Sequence, residues 1–571
     1  MAPDRARQEQ RLSLGAFRFL LWCAAGAALV QVVLSGVAAL PPSKLSVAFR
    51  YLLGFDTHGN LLLLAIAVAA FLLRHRATAL DALRACTARP WLLAAVIFPA
   101  LCLGSLFVYH DQPLSMDEYA ALFQARAFAE GRLTGAFPPD LIDRLIPTFF
   151  QNHFFIVSAS TGLVSSSYWP AFSLLLAPFV WLGIPWAANP MLGALAIPVL
   201  HRLTREVSGS TEAAGWAVAI AVASPAFVIT SVSYYPLQAH LLFNLLYALL
   251  LVNVSVRRAL LAGVVGSIAL TLHNPLPHLL FCAPFLVWAA YRPRGLRFLA
   301  ALLIGYLPLA LLLGFGWREH LAQLLAQVAP ATASSPAVAA AGAQVSLPGA
   351  WGAFADILAL PSYDTLYSRL AGLSKIWTWG ALGLLVLAIP GYAALRSNAY
   401  ARVLGAALLV TFFGYFVVRF DQGHGWGYRY IHSAWFVLAL LAGAFLVARQ
   451  DQSRVEPQGE LRAMAAWGIG LSLLLANGLR AVQVESHIAR HLAQVPPLSV
   501  APDASRPEVV FIEIRRGFYT HDLVQNEPLL RGPRVVMVHE GGPRQAELMA
   551  NRFPAYRKSA EGPWGEHWTR R

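Results

Sequence analysis

Three short polar clusters interrupt an otherwise apolar chain, and their side chains are of types that can do chemistry. The clusters are Ser115–Tyr119, His273–His278 and Arg419–His432. In the first, Asp117 and Glu118 are adjacent, and a positioned carboxylate can take a proton from a hydroxyl as a general base. In the third, His424, Tyr428 and Arg429 stand among three glycines, which let a backbone approach a ligand closely. Because a planar guanidinium suits a phosphate, these residue types favour acid–base chemistry beside a phosphate.

Each cluster also has a purely structural explanation. Asp117 and Glu118 begin a predicted amphipathic helix that ends at Gly131, and acids commonly cap a helix or interact with the positive end of its dipole. A single histidine within a membrane is more often packed than ligating, and Arg429 also fits an aromatic belt at the membrane surface. Taken one at a time, the clusters leave both explanations open.

The composition is that of a membrane protein. Of the 571 residues, 57% are hydrophobic and 13% are charged, against about 45–50% and about 25% in soluble domains. The net charge of +14 comes from short arginine clusters between apolar runs, so nucleic-acid binding is a poor explanation for it. The four cysteines lie outside the large polar loops, which excludes a disulfide framework and a cysteine metal site.

Apolar runs near the roughly 20 residues that span a bilayer follow one another along the chain. The thirteen runs lie at about 14–40, 58–73, 90–110, 187–203, 212–232, 235–256, 258–273, 274–291, 297–316, 376–395, 401–418, 431–448 and 463–482. Arginines fall in alternate connectors, such as Arg74 with Arg76 and Arg257 with Arg258. Since arginine-rich connectors stay in the cytoplasm, the amino terminus is predicted to be cytoplasmic and the first run an uncleaved anchor.

This topology places the long polar segments on the outer face of the membrane. They are the loops 111–167, 317–375 and 419–430 and a tail from about 483. The proline-rich stretch Tyr168–Trp186 is predicted to lie at the outer interface, and Pro330–Pro348 to form a flexible loop. In the tail, Val509–Ile514 and Val535–Val538 predict strands and Gln545–Arg552 predicts a helix. The expected fold is an all-α polytopic membrane domain at 1–482, with about thirteen crossings and interfacial helices, followed by a small α/β domain at 483–571.

Under this topology all three polar clusters lie on the same, outer side, and at these residues the chain resembles the C-type membrane glycosyltransferases. The similarity is to the bacterial branch related to protein O-mannosyltransferases and to the aminoarabinose transferase of lipid A. The segments that carry it are Ser115–Gly131, Tyr168–Pro178, Gly425–His432 and the tail from Pro507. Many relatives place a further acidic residue where this chain has Tyr234–His240, which contains none.

The resemblance implies an enzyme of the bacterial inner membrane with its active site on the periplasmic side. It would move a sugar from a polyprenyl-phosphate donor to a hydroxyl of a lipid, glycan or protein, with inversion. Asp117 would be the general base, with its pKa raised by burial, and Glu118 would orient the acceptor. Arg429, with His424 or Tyr428, would bind the donor phosphate. Further candidate substrate contacts are His273, His278 and Tyr119.

Two expectations complete this picture. Asp117 and Glu118 are the candidate ligands if a divalent cation, Mg²⁺ or Mn²⁺, takes part. The alternative function is a glycolipid transporter or flippase of the cell envelope, which would show inverted repeats and polar residues on both approaches to the midplane. The sequence has no such internal repeat, and its polar candidates crowd the outer mouth. A non-enzymatic assembly partner is a second alternative, in which the acids would only cap a helix.

Overall fold

The computed structural model describes residues 2–38, 45–326, 358–448 and 459–571, with the side chains of the first helix described from Leu14 onward. Helices make up most of the chain before residue 494. In chain order they are α1 (Ala2–Ala38), α2 (Val47–Leu72), α3 (Thr78–Thr87), α4 (Pro90–Phe107), α5 (Met116–Ala129), α6 (Ile142–Leu145), α7 (Ala171–Trp181), α8 (Ala188–Ser208), α9 (Thr211–Val222), α10 (Pro225–Val232), α11 (Leu237–Val252), α12 (Val256–Thr271), α13 (Leu276–Ala290), α14 (Gly295–Leu309), α15 (Trp317–Ala326), α16 (Tyr363–Thr378), α17 (Leu384–Ala394), α18 (Ala399–Gly414), α19 (Phe436–Ala448), α20 (Gly459–Leu471), α21 (Asn477–Ala493) and α22 (Gly542–Arg552).

Six of the described helical segments are long and apolar enough to cross a membrane, or seven if one bent pair is a single span. The six are Leu14–Val37, Val47–Leu72, Pro90–Phe107, Gly295–Ala326, Ala399–Val417 and Gly459–Ala493. The chain is therefore a multi-pass membrane protein. Five further apolar helices of 10–17 residues are shorter than a full span. Length and composition thus do not confirm the count of thirteen crossings, although each of the thirteen runs overlaps a described helix.

The helix pair that carries part of the site is broken by a proline. α9 and α10 meet at a bend of 60°, and Pro225 begins α10, where its missing N–H costs no helical hydrogen bond. The bend brings Thr230 against α11, with its Oγ1 3.2 Å from Gln238 Oε1.

Glycines let two neighbouring helices pack backbone to backbone. A Cβ atom on Gly263 of α12 would lie 2.1 Å from the carbonyl oxygen of Leu302 in α14. A Cβ atom on Gly305 would lie 2.2 Å from the carbonyl oxygen of Leu260. Only glycine fits at such a crossing, so Gly263 and Gly305 allow α12 and α14 to pack backbone to backbone.

The predicted outer-interface stretch is helical where it is most apolar. α7 covers Ala171–Trp181, and the backbone N–H of Trp169 donates to the carbonyl of His273 at 3.0 Å. A second backbone bond joins Phe172 N–H to the carbonyl of Leu272 at 3.2 Å. The stretch is thereby fastened to the second polar cluster, and its position at the membrane surface stays a prediction.

Two small sheets lie beyond the helices. The strands are β1 (Gly135–Ala136), β2 (Phe155–Val157), β3 (Leu163–Ser166), β4 (Glu508–Ile512), β5 (Arg534–Val538), β6 (Tyr556–Gly562) and β7 (Gly565–Arg570). The first sheet has the order β1–β3–β2, and the second has the order β5–β4–β7–β6 with only β4 and β5 parallel. β4, β5 and α22 lie where the sequence predicts two strands and a helix. β6 and β7 were not predicted, since β6 is mostly exposed and polar and lacks apolar alternation.

The tail packs directly on the loop that carries the acidic pair. Phe123 and Phe155 from the loop share one apolar core with Phe511 and Met537 from the tail. The predicted domain boundary at 482/483 falls inside α21, which runs continuously into the tail. The pair Asp117–Glu118 therefore begins a helix, α5, that packs on α7 and also on the core shared by the loop and the tail.

Candidate active site

An ion pair joins the first and third polar clusters. Arg429 Nη2 lies 2.8 Å from Asp117 Oδ2, across 312 positions of sequence. Asp117 is in the first turn of α5, and Arg429 begins a short 3₁₀ helix, Arg429–Ala434, that leads into α19. Both side chains are largely buried, with 24% and 13% of their surfaces exposed. The structure thus brings together the two residues to which the sequence assigns the base and the phosphate contact.

The guanidinium of Arg429 is held in place by its own loop. Nη1 donates to the carbonyl oxygens of Gln422 and His424 at 2.9 and 2.7 Å. The ring of Tyr235 stacks on the guanidinium, with its centroid 4.2 Å from Cζ. Gly425 has φ +114°, and a Cβ atom there would lie 2.4 Å from Arg429 Cδ. A side chain at 425 would therefore displace the cation, which is the physical requirement for this glycine.

The second oxygen of Asp117 accepts a hydrogen bond from the hydroxyl of Tyr168. The ring of Tyr168 stacks on that of His273, with centroids 3.7 Å apart. Burial acts to raise the pKa of Asp117, but the charge of Arg429, with smaller contributions from His273 and Tyr168, lowers it to about 2. The expectation that burial would raise this pKa toward neutrality is therefore wrong, because the ion pair outweighs desolvation.

Glu118 faces away from Asp117 and is completely buried. Oε1 accepts from the hydroxyl of Tyr109 at 2.8 Å and from the N–H of Tyr234 at 2.9 Å, and Oε2 accepts from the N–H of Leu114 at 2.7 Å. Burial raises the pKa of Glu118 to about 7, in spite of these three donors. Its position fastens the start of α5 to the segment before α11. The expectation that it orients an acceptor has no support in this geometry.

The tail contributes an acid that the sequence did not reveal. Asp522 Oδ2 lies 3.4 Å from Nε2 of His424, and Asp522 also hydrogen-bonds with the backbone of Met116 at the start of α5. Burial and the charge of Asp117 raise the pKa of Asp522 well above its usual range. Burial lowers the pKa of His424 to about 3, so its ring is neutral at neutral pH. A segment more than ninety positions from the third cluster thus completes the surroundings of the ion pair.

The other predicted contacts are placed less favourably. His278 lies within α13, where its ring bonds Asn244 Oδ1 at 2.7 Å and the hydroxyl of Tyr306 at 2.6 Å. The hydroxyl of Tyr119 donates to the carbonyl of Asn526 and accepts from its N–H, both at 2.6 Å. These two residues are engaged with protein groups away from Arg429, so the geometry gives no support to their expected role as substrate contacts.

Tyr428 lies next to Arg429 in sequence and is buried against Gly372, where a Cβ atom would lie 2.5 Å from its ring. Among the residues that the structure describes, its hydroxyl has no hydrogen-bond partner. The sequence also missed Tyr168 and Tyr235 as site residues. Tyr168 begins a segment that resembles the family, and Tyr235 lies just before α11. Nothing in the local sequence pattern showed that Tyr168 contacts Asp117 or that Tyr235 contacts Arg429.

The carboxylates of Asp117 and Glu118 are the candidate ligands for a divalent cation. Over residues 2–38, 45–326, 358–448 and 459–571, no group of three or more histidine, cysteine or acidic side chains could hold a metal ion. The oxygens of Asp117 and Glu118 are all paired with protein donors and face different partners. Mg²⁺ usually binds through one or two carboxylates plus waters, and would have to displace these bonds. The side chains as placed do not fit Mg²⁺ or Mn²⁺, and the metal stays an untested expectation.

Comparison with known proteins supports the fold. No protein-family model and no curated protein matches the chain. Among solved structures, ArnT from Cupriavidus metallidurans bound to undecaprenyl phosphate is similar at 14% identity, over 84% of this chain and 98% of that chain, with a TM-score of 0.50. The apo state of the same protein matches at 14% identity over 83% and 97% of the two chains, with a TM-score of 0.47. ArnT is the lipid A aminoarabinose transferase, a C-type glycosyltransferase. The predicted resemblance in fold is thus confirmed.

Proposed function

We propose that this chain is a membrane glycosyltransferase that moves a sugar from a polyprenyl-phosphate donor to an acceptor hydroxyl, with inversion. The observation that carries the proposal is the buried ion pair of Asp117 and Arg429, which places a potential base beside a potential phosphate ligand. The fold supports it, because the similar ArnT structure contains undecaprenyl phosphate. The acceptor class is a lipid, a glycan or a protein.

The proposal includes a location and a topology. The chain would cross the bacterial inner membrane thirteen times, with its amino terminus in the cytoplasm and its site and tail in the periplasm. The arginine distribution supports this orientation. Arg84 and Glu212 pair at 2.8 Å, and Arg462 lies 3.5 Å from the same Glu212, so three connectors assigned to the cytoplasm meet at one end of the bundle.

The chemistry starts from competition for Arg429. In the unliganded site its Nη2 is paired with Asp117. A donor phosphate carries the same type of oxygen and draws the guanidinium toward itself, which weakens that pair. As the stabilising charge moves away, the pKa of Asp117 rises from about 2, so the carboxylate becomes a stronger base when the donor is bound. Donor binding and base activation are thereby coupled through one side chain.

Transfer then requires one base and one stabilised leaving group. Asp117 removes the proton of the acceptor hydroxyl while its oxygen forms a bond with the anomeric carbon. The bond between that carbon and the phosphate oxygen breaks, and polyprenyl phosphate leaves as an anion stabilised by Arg429. No protonated acid is needed for this leaving group, unlike in a glycosidase. Tyr168 holds the base through its hydroxyl, and Asp522 lies beside His424, 3.4 Å from its Nε2.

The test uses purified full-length protein and labelled polyprenyl-phosphate sugars. Asp117→Asn should lower release of polyprenyl phosphate by about 10²–10⁴-fold, the usual value of a general base, and leave lipid binding intact. The matched control is Asp140→Asn, which changes an exposed acid of the same outer loop, 57% exposed and paired with Arg552. Normal turnover in Asp117→Asn would overturn the assignment. Movement of the labelled lipid across proteoliposomes without release of polyprenyl phosphate would support the transporter instead.

A further inference from the structure

Two side chains at the start of α11 are buried with unpaired polar atoms. Gln238 and His240 are 0% and 2% exposed. Within the described part of the chain, Nε2 of Gln238 and both ring nitrogens of His240 have no hydrogen-bond partner. An amide and an imidazole without partners in a protein interior are costly, because each has lost its hydrogen bonds to water. Such groups in a folded protein call for a ligand or an ordered water.

These atoms lie close to residues that adjoin the ion pair. Oε1 of Gln238 is 3.3 Å from Nε2 of His432, which belongs to the same 3₁₀ helix as Arg429. His240 is close enough to His273 and His432 to interact with them electrostatically. His273 in turn stacks on the tyrosine that binds Asp117. Gln238 and His240 therefore lie in the first turn of α11 and are linked to the surroundings of the ion pair through His432 and His273.

The surroundings of the pair are polar but uncharged. The hydrogen-bonding neighbours of Gln238 are Thr230 and His432. Among the described side chains, no lysine, arginine or carboxylate is within hydrogen-bond distance of Gln238 or His240. A phosphate would lack a counter-charge there, and a sugar ammonium group would lack a carboxylate. Hydroxyl groups, which both donate and accept, match an amide N–H donor and an imidazole with one donor and one acceptor.

We propose that Gln238 and His240 bind the sugar of the donor, and that this sugar is a neutral monosaccharide rather than an amino sugar. The inference rests on the proposed function, because the phosphate at Arg429 fixes where the sugar lies. The anomeric carbon then faces Asp117, and the ring hydroxyls reach the unpaired atoms of α11.

The test measures binding to full-length protein in nanodiscs. The probes are undecaprenyl phosphate, its glucosyl, galactosyl and mannosyl derivatives, and its 4-amino-4-deoxyarabinosyl derivative. The wild type should bind at least one neutral glycolipid at least tenfold more tightly than undecaprenyl phosphate. Gln238→Leu and His240→Phe should remove that gain and keep the affinity for undecaprenyl phosphate within twofold. His201→Phe is the matched control, since it removes another buried histidine with an unpaired Nε2 from α8, at its predicted cytoplasmic end.

Each outcome separates the two proposals. A sugar gain that persists in both variants, or tighter binding of the amino sugar than of every neutral sugar, overturns the subsite. If the wild type binds undecaprenyl phosphate no better than undecaprenol, the result overturns the proposed function itself, on which the sugar subsite rests. Thermal unfolding gives a second readout without ligand. His240→Phe should raise the melting temperature, because it removes unpaired buried atoms, whereas a lower melting temperature together with an unchanged sugar gain marks a structural histidine or a bound water.

Discussion

Replacing Arg429 by alanine tests the central contact of the site through the acidity of Asp117. The charge of Arg429 lowers the pKa of Asp117 more than any other group does, and burial acts in the opposite direction and raises it. Without the guanidinium, burial dominates. The pKa of Asp117 should then rise from about 2 to its ordinary value of 3.8 or above. At about 1.4 kcal/mol for each pKa unit, the net shift from 3.8 to about 2 corresponds to about 2 kcal/mol in favour of the ionised carboxylate, and the contribution of the pair is larger than this because burial opposes it.

The assay measures kcat/KM between pH 4 and 8, with the release of polyprenyl phosphate as the readout. Because kcat/KM reports the pKa values of the free enzyme, the wild type should show no acid limb from Asp117 in this range. Arg429→Ala should show a loss of rate as pH falls through the raised pKa, where Asp117 becomes protonated. Arg429→Lys is the control, since it keeps the charge and should keep the limb below pH 4.

An unchanged acid limb in Arg429→Ala would refute the reasoning, as would a wild-type limb between pH 4 and 6. The alanine variant also loses its phosphate ligand, so its turnover can fall below detection. In that event the ionisation of Asp117 can be followed by infrared difference spectroscopy, with Asp117→Asn to identify its carboxylate band. If this band titrates at the same pH in Arg429→Ala as in the wild type, Arg429 does not lower the pKa of Asp117.

Three further predictions follow from the same contacts. Glu118→Gln should lower the free energy of unfolding by about 1–3 kcal/mol, because the amide NH₂ of the new glutamine would face the N–H of Leu114. The readout is a lower melting temperature, and an unchanged melting temperature would contradict the anchoring role of Glu118. Asp522→Asn should keep activity within a few fold, because an amide resembles the protonated acid and can still accept from the backbone of Met116. Asp522→Leu should lower turnover because it removes that acceptor at the start of α5, and equal activity of the two variants would remove Asp522 from the site. EDTA should leave turnover unchanged, since the acids are paired with protein donors, and restoration of lost activity by Mg²⁺ or Mn²⁺ would show that an ion displaces those bonds.

The sequence predicts that Asp117 and Arg429 lie on the same side of the membrane, because the arginine distribution that indicates sidedness is local. Arginine-rich connectors fix which loops share the outer face, and that requires no knowledge of how the helices pack. The direction of the pKa change could not be predicted in the same way. It depends on whether burial or the partner charge is stronger, and the sequence places Asp117 and Arg429 on one side of the membrane without giving their separation. A distance of 2.8 Å decides the question.

The contribution of the tail was beyond sequence reasoning for a different reason. Its first two strands have apolar alternation and were predicted, but Asp522 lies between them in a short 3₁₀ helix, Thr520–Leu523, without a chemical motif. Its contact with His424 depends on how the whole module packs against α5. Likewise, apolar run lengths predicted helices but not their breaks, such as the bend at Pro225 that turns Thr230 toward the site.

The charge of the unliganded site follows from these positions. Three acids, Asp117, Glu118 and Asp522, surround one cation, and a fully ionised cluster would repel a phosphate. Burial raises the pKa of Glu118 to about 7, which leaves it about half protonated at neutral pH, and raises that of Asp522 well above its usual range, which favours its neutral form. Only Asp117, paired with Arg429, is held firmly ionised. A donor phosphate therefore meets less negative charge than three ionised carboxylates would present, and it replaces Asp117 at the guanidinium while this proton acceptor remains beside it.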